Sequence, residues 1–123
     1  MVVTGALIAE SLRTGARIEG VTLTVKRITR ENAGDSRAGQ PRTWTFVEFV
    51  AAAGDAERLA NTLSRALDER LGWYCDFRSA TETFVVFSGK VFRYPRGDVD
   101  RRAEAEAHAR SVGVPESQLD WPE

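Results

Sequence analysis

The stretch Gly72-Trp73-Tyr74-Cys75-Asp76-Phe77-Arg78, followed by Phe84-Val85-Val86-Phe87-Ser88-Gly89-Lys90-Val91-Phe92-Arg93-Tyr94, reads as three short strands joined by tight turns. Aromatic and β-branched residues dominate it, as a pleated and packed surface requires. A turn over Ser79–Glu82 pairs Phe77 with Phe84, Asp76 with Val85, Cys75 with Val86 and Tyr74 with Phe87. Ser88-Gly89 is a usable two-residue hairpin turn. It pairs Val86 with Val91 and Val85 with Phe92. In this register Trp73, Cys75, Phe77, Phe84, Val86 and Val91 share one face. Tyr74, Asp76, Arg78, Val85, Phe87, Phe92 and Tyr94 share the other, and a slip of one residue would invert part of the assignment. Large apolar side chains on both faces demand two covers. A chain of 123 residues is expected to supply one and a part of the second, leaving the remainder as a working surface.

Working outward, Asp55 to Leu71 is the clearest helix. Ala56, Leu59, Ala60, Leu63, Ala66, Leu67 and Leu71 recur at helical spacing, Asp55 is placed to cap it, and Gly72 to stop it. Thr43 to Ala51 is a strand with Trp44, Phe46 and Val50 on one face and Val47 and Phe49 on the other, hence a central one. Residues 17–29 alternate as a half-buried strand, with Val21, Leu23 and Val25 inward. Residues 31–42, with Gly34, Gly39 and Pro41, read as a mobile loop. Leu7, Ile8 and Leu12 behind Thr4 predict a short helix over 4–14. Pro95-Arg96-Gly97 ends the sheet, and Asp98 caps a last helix to about Ser111 with a narrow stripe of Val99, Ala103 and Ala107. Residues 114–123 are expected to dock as a tail, pinned by Leu119 and Trp121. The expectation is one α+β domain over 1–123, in the order α-β-β-α-β-β-β-α, with helices on a mostly antiparallel sheet of about five strands. That order is broadly similar to the one found in small bacterial secretion chaperones, which bind partner segments as dimers.

Composition narrows the function by exclusion. Seventeen basic against eighteen acidic residues give a net charge of −1, which is no footprint for nucleic acid, despite the run Lys26, Arg27, Arg30, Arg37 and Arg42. A single cysteine excludes an internal disulfide framework and a cysteine zinc cage. No run reaches the roughly 18 apolar residues of a membrane span, and the amino terminus lacks the early positive charge of a signal peptide. A cytoplasmic location is the resulting expectation. No phosphate loop, nucleophile elbow or metal-ligand spacing occurs, so no cofactor or metal is expected.

Cys75 lies between Trp73 and Phe77 and reads as a core thiol. His108, four residues after Glu104, reads as a helix-surface contact near a C-terminal end, where a protonated imidazole is favoured. Arg93, Arg96, Arg101 and Arg102 gather where the last helix begins. Asp98 and Asp100 are expected to occupy the donors there. The candidate partner-binding or ligand-binding set is Tyr74, Asp76, Arg78, Val85, Phe87, Phe92, Arg93 and Tyr94. Two functions follow. One is a non-enzymatic interaction module that meets another protein, or a second copy of itself, through the second sheet face. The other is a pocket for a small anionic or polar molecule, or a small enzyme, with Arg78 and Arg93 as anion holders and Tyr74 and Asp76 as orienting or acid–base groups.

Overall fold

A computed structural model describes residues 1–34, 39–119 and 121. Six strands form one antiparallel sheet: β1 (Val2–Ile8), β2 (Thr24–Asn32), β3 (Thr43–Ala52), β4 (Tyr74–Arg78), β5 (Glu82–Phe87) and β6 (Lys90–Pro95). Their order across the sheet is β2-β3-β1-β4-β5-β6. Two helices, α1 (Ala56–Ala66) and α2 (Val99–Ser111), complete an α+β fold.

The β4–β6 ribbon has the register its turns dictate. Tyr74 pairs with Phe87, Cys75 with Val86, Asp76 with Val85 and Phe77 with Phe84. Val85 then pairs with Phe92 and Val86 with Val91. On the first face Cys75, Phe77, Phe84 and Val86 join Val3, Leu7, Phe49 and Ala51 beneath Ala56, Leu59, Ala60 and Leu63 of α1. The Phe77 and Phe84 rings stack at 4.7 Å. Each such apolar side chain contributes about 1.5–3 kcal/mol by leaving water.

Residues 2–8 correct the expected first helix. They form β1, between β3 and β4 at the centre of the sheet. Val3, Gly5 and Leu7 turn to α1, while Val2, Thr4, Ala6 and Ile8 take the second face. Leu7, Ile8 and Leu12 fit a helical stripe only by coincidence of spacing. The order is therefore β-β-β-α-β-β-β-α, with six strands rather than about five, and the likeness to secretion chaperones goes with the helix-first order.

Smaller corrections share one cause, which is that tertiary contacts outrank local pattern. β2 begins at Thr24 rather than in the residues before it. Ile18, Val21 and Leu23 pack on the first-face core from outside any strand, and Val25 and Ile28 are exposed. α1 stops at Ala66, because Leu67 leaves it to bridge Leu12. Leu71 and Gly72 then adopt left-handed φ angles of 68° and 67°. Asp55 precedes α1, but its carboxylate makes no capping bond and lies 3.5 Å from Arg58. Of the expected 31–42 loop, Glu31 and Asn32 belong to β2 and residues 35–38 lie outside the described ones.

α2 and the tail cover the second face over β4–β6. Asp98 accepts a hydrogen bond from the Arg101 amide and so caps α2 as expected. The buried stripe is not Val99, Ala103 and Ala107, all of which are exposed. It is Ala105 and Ala109, and beside them Arg102 and His108 of α2 and Val112 just past its end are half-buried. Val114, Leu119 and Trp121 are buried against Val85, Phe87 and Tyr94. The Tyr74 hydroxyl donates to the Gln118 carbonyl at 2.7 Å, and Arg102 donates to the Trp121 carbonyl.

Candidate functional site: the uncovered half of the second face

Strand registers give the second face in rows. One row runs Val50, Thr4, Arg78, Thr83, Tyr94. The next runs Arg27, Glu48, Ala6, Asp76, Val85, Phe92. A third holds Thr29, Phe46 and Ile8, with Tyr74 and Phe87 paired beyond them. α2 and the tail lie on the β4–β6 ends of these rows. Among the described residues, the β1, β3 and β2 ends have no such cover.

This placement sorts the eight candidate residues. Val85, Phe87 and Tyr94 are at most 2% exposed, so the chain's own helix and tail occupy the part expected to meet a partner. Phe92 packs at the margin of the same cluster. Arg93 is on the opposite face. It forms a two-point pair with Glu82, at 2.7 and 2.9 Å, and its guanidinium lies 5.0 Å from the Phe84 ring centre. Arg78 shares a face with Tyr74 and Asp76 but lines a separate shallow depression with Thr4 and Arg96. Of the eight, Phe92, Arg93 and Tyr94 border a smaller depression with Arg101 and Glu104, and Tyr74 and Asp76 come together at a larger open site.

That site is a groove of about 570 Å³. Ala6 and Ile8 of β1 and Trp44 and Phe46 of β3 form its floor. Trp73, Tyr74, Asp76 and the tail residues Ser117 and Gln118 make one wall, and Glu31 to Gly34 make the other. Trp44 is held from two sides: its indole N–H donates to the Pro41 carbonyl at 2.9 Å, and its ring meets Trp73 at 5.5 Å and Phe46 at 6.2 Å. Tyr74 is set between Phe87 at 5.9 Å and Trp121 at 5.8 Å. These contacts within the chain hold the rings of Trp44 and Tyr74 in place. The β3 pattern, apolar on both faces, carried the signal for Trp44 and Phe46. Ala6 and Ile8 were hidden by the helical reading of residues 4–14.

The thiol and the imidazole lie elsewhere. Cys75 is buried on the first face, its Sγ 3.4 Å from the Ala6 carbonyl, and burial pushes its thiol pKa far up. His108 is on the second face, its ring 4.6 Å from Phe87 and 5.5 Å from Phe92. Burial, and then the charge of Lys90, lowers its pKa. A neutral imidazole is therefore favoured, contrary to the expectation from the helix end alone. The sheet separates the two groups, so they form no thiol–imidazole pair. Among the described residues no three His, Cys, Asp or Glu side chains are placed to hold a metal, and no helix is long and apolar enough to cross a membrane. Two of the four arginines near the start of α2 are engaged elsewhere than with Asp98 or Asp100: Arg93 with Glu82, and Arg102 with the tail and Glu106.

In comparisons with known proteins, the chain matches no family, no curated protein and no solved structure.

Proposed function

We propose that this chain is a non-enzymatic interaction module that receives a segment of another protein on the uncovered half of its second sheet face. The observation that carries this reading is the asymmetry of cover. Val2, Ala6, Ile8, Phe46 and Val50 are exposed or half-buried on the strands next to a preformed aromatic groove. The same sheet face already accepts a peptide segment within the chain, since the tail docks Leu119 and Trp121 there and Tyr74 binds the Gln118 carbonyl. A partner segment lying beside the tail would use the same recipe of apolar anchors and a few backbone hydrogen bonds. The small-anion reading has less support, because Arg93 and Arg78 do not face the groove.

Selection from a displayed peptide library tests the proposal. Enriched peptides should lose binding to Ile8→Glu and Phe46→Glu but keep it with Val25→Glu, which alters the first face. Sedimentation of the chain alone tells a second copy from a different protein as the occupant. Enriched peptides indifferent to both second-face substitutions would refute the assignment.

A further inference from the structure

We propose a second site, independent of the docking surface: a basic depression on the α1 side of the sheet that binds the phosphate group of a small molecule. It measures about 330 Å³ and is lined by Arg13, Arg17, Glu19, Thr62 and Arg65. Its positive charge is uncompensated. Arg27, Arg58, Arg70, Arg93, Arg102 and Arg110 each pair with a carboxylate of the chain. Among the described residues Arg13, Arg17 and Arg65 have no such partner, although Glu19 lines the same depression. The end of α1 does not account for them. Its last four carbonyls are already taken: Leu63 by the Leu67 amide, Ser64 by the Gly89 amide, Ala66 by the Arg13 amide and Arg65 by the Arg13 Nε at 3.0 Å. Those bonds orient Arg13 and leave its two Nη groups without an acceptor in the chain. Thr62 is an independent observation. It is only 8% exposed, yet its hydroxyl makes no hydrogen bond within the chain, whereas that of buried Ser11 donates to the Ile8 carbonyl. Buried hydroxyls are paired as a rule, and a ligand oxygen seated in the depression would supply the missing partner. Three guanidiniums against one carboxylate leave two formal positive charges. A phosphate monoester matches them, with a charge of about −1.5 to −2 at neutral pH and three acceptor oxygens. Guanidinium forks engage such oxygens in pairs. A carboxylate, with one charge and two oxygens, satisfies fewer of these donors. The confined space and the net charge of −1 favour a small molecule over a nucleic-acid backbone.

The test titrates the full chain with methyl phosphate, and with acetate at equal ionic strength, followed by arginine Nε–H shifts. Methyl phosphate should move the Arg13, Arg17 and Arg65 signals saturably and bind at least about tenfold more tightly than acetate. Arg17→Gln should weaken it about fivefold or more, and Thr62→Val, which keeps the shape and removes the hydroxyl, about threefold. Arg101→Gln, the same charge change on α2, should leave the affinity unchanged. Acetate binding as tightly as methyl phosphate would overturn the proposal. So would shifts spread evenly over arginines outside the depression, or an Arg101→Gln variant weakened as much as Arg17→Gln. The acetate comparison and the pattern of shifts use the unsubstituted protein, so they decide the matter even if a variant fails to fold. Peptide binding to the second face is read separately, through Phe46→Glu, and stands or falls by itself.

Discussion

Gly5→Ala is a substitution whose sign depends on the architecture. Gly5 sits in β1 opposite Phe77 of β4. A Cβ added there would lie 2.6 Å from the Phe77 Cβ and 2.7 Å from the Asp76 carbonyl oxygen. Ordinary contact begins near 3.4 Å, so the two strands would have to separate by about 0.8 Å. β4 has little room to yield. It is paired along its whole length with β5, and Phe77 is fully buried between Phe84 at 4.7 Å and Phe49 at 6.2 Å. Overpacking costs about 1–3 kcal/mol, and obstacles of backbone and Cβ atoms put this case near the top of that range. Loss of glycine's freedom in the unfolded chain returns about 0.4–1 kcal/mol. The net expectation is a destabilisation of about 2 kcal/mol, or a fall in Tm of roughly 8 °C for a chain of this size. In a helix over residues 4–14 the same substitution would stabilise by up to about 1 kcal/mol. Urea unfolding followed by tryptophan fluorescence measures the change as a shift in midpoint at constant slope. A variant as stable as the parent, or more so, would refute the central placement of β1 and the close approach of β4.

Two further outcomes follow from the second face. His108 titrates below its unfolded value of about 6.5, because burial against Phe87 and Phe92, and then Lys90, disfavours the imidazolium. Its contribution to stability is therefore complete above that value and is lost as pH falls through it towards the folded pKa. The lowered carboxyl pKa values of Glu10, Asp68, Glu82 and Glu116 place their titration below this window. Denaturant midpoints should thus decline between about pH 7.5 and pH 5.5, and His108→Gln should flatten that decline; a parent that gains stability on acidification would contradict the buried, neutral ring. Trp121→Ala removes the ring that packs on Tyr74 and lies under Arg102. A cost of about 3 kcal/mol is expected, with faster hydrogen exchange at Tyr74 and Phe87, and unchanged exchange there would mean that the tail does not hold the face closed.

How much of this was legible follows from where the information sits. The β4–β6 register was readable because short turns fix it. Gly89 takes a left-handed φ of 73° in the two-residue turn, and the Ser79 hydroxyl accepts the amides of Thr81 and Glu82 in the other. β1 was not readable, since Gly5 and Ala6 carry weak strand propensity and Gly5 is required by Phe77, seventy-two residues away. The α2 stripe was ambiguous because alanines alternate along the helix and the rest of the buried side comes from Arg102 and His108. The second face was thus legible as a face, but which half of it the chain's own helix and tail cover was not. Geometry explains which half stays open. Strands lie about 4.8 Å apart and a helix is about 10 Å wide, so one helix covers roughly two strands. α2 with the tail therefore accounts for β4, β5 and β6, whereas on the first face α1 is joined by the packed segment holding Ile18, Val21 and Leu23. Among the described residues, no second segment joins α2 and the tail on the second face over β1 and β3. Reading β1 as a helix both removed a strand that needed cover and supplied a helix to provide it, and correcting that one element opens the surface where Trp44, Phe46 and Ile8 line the groove.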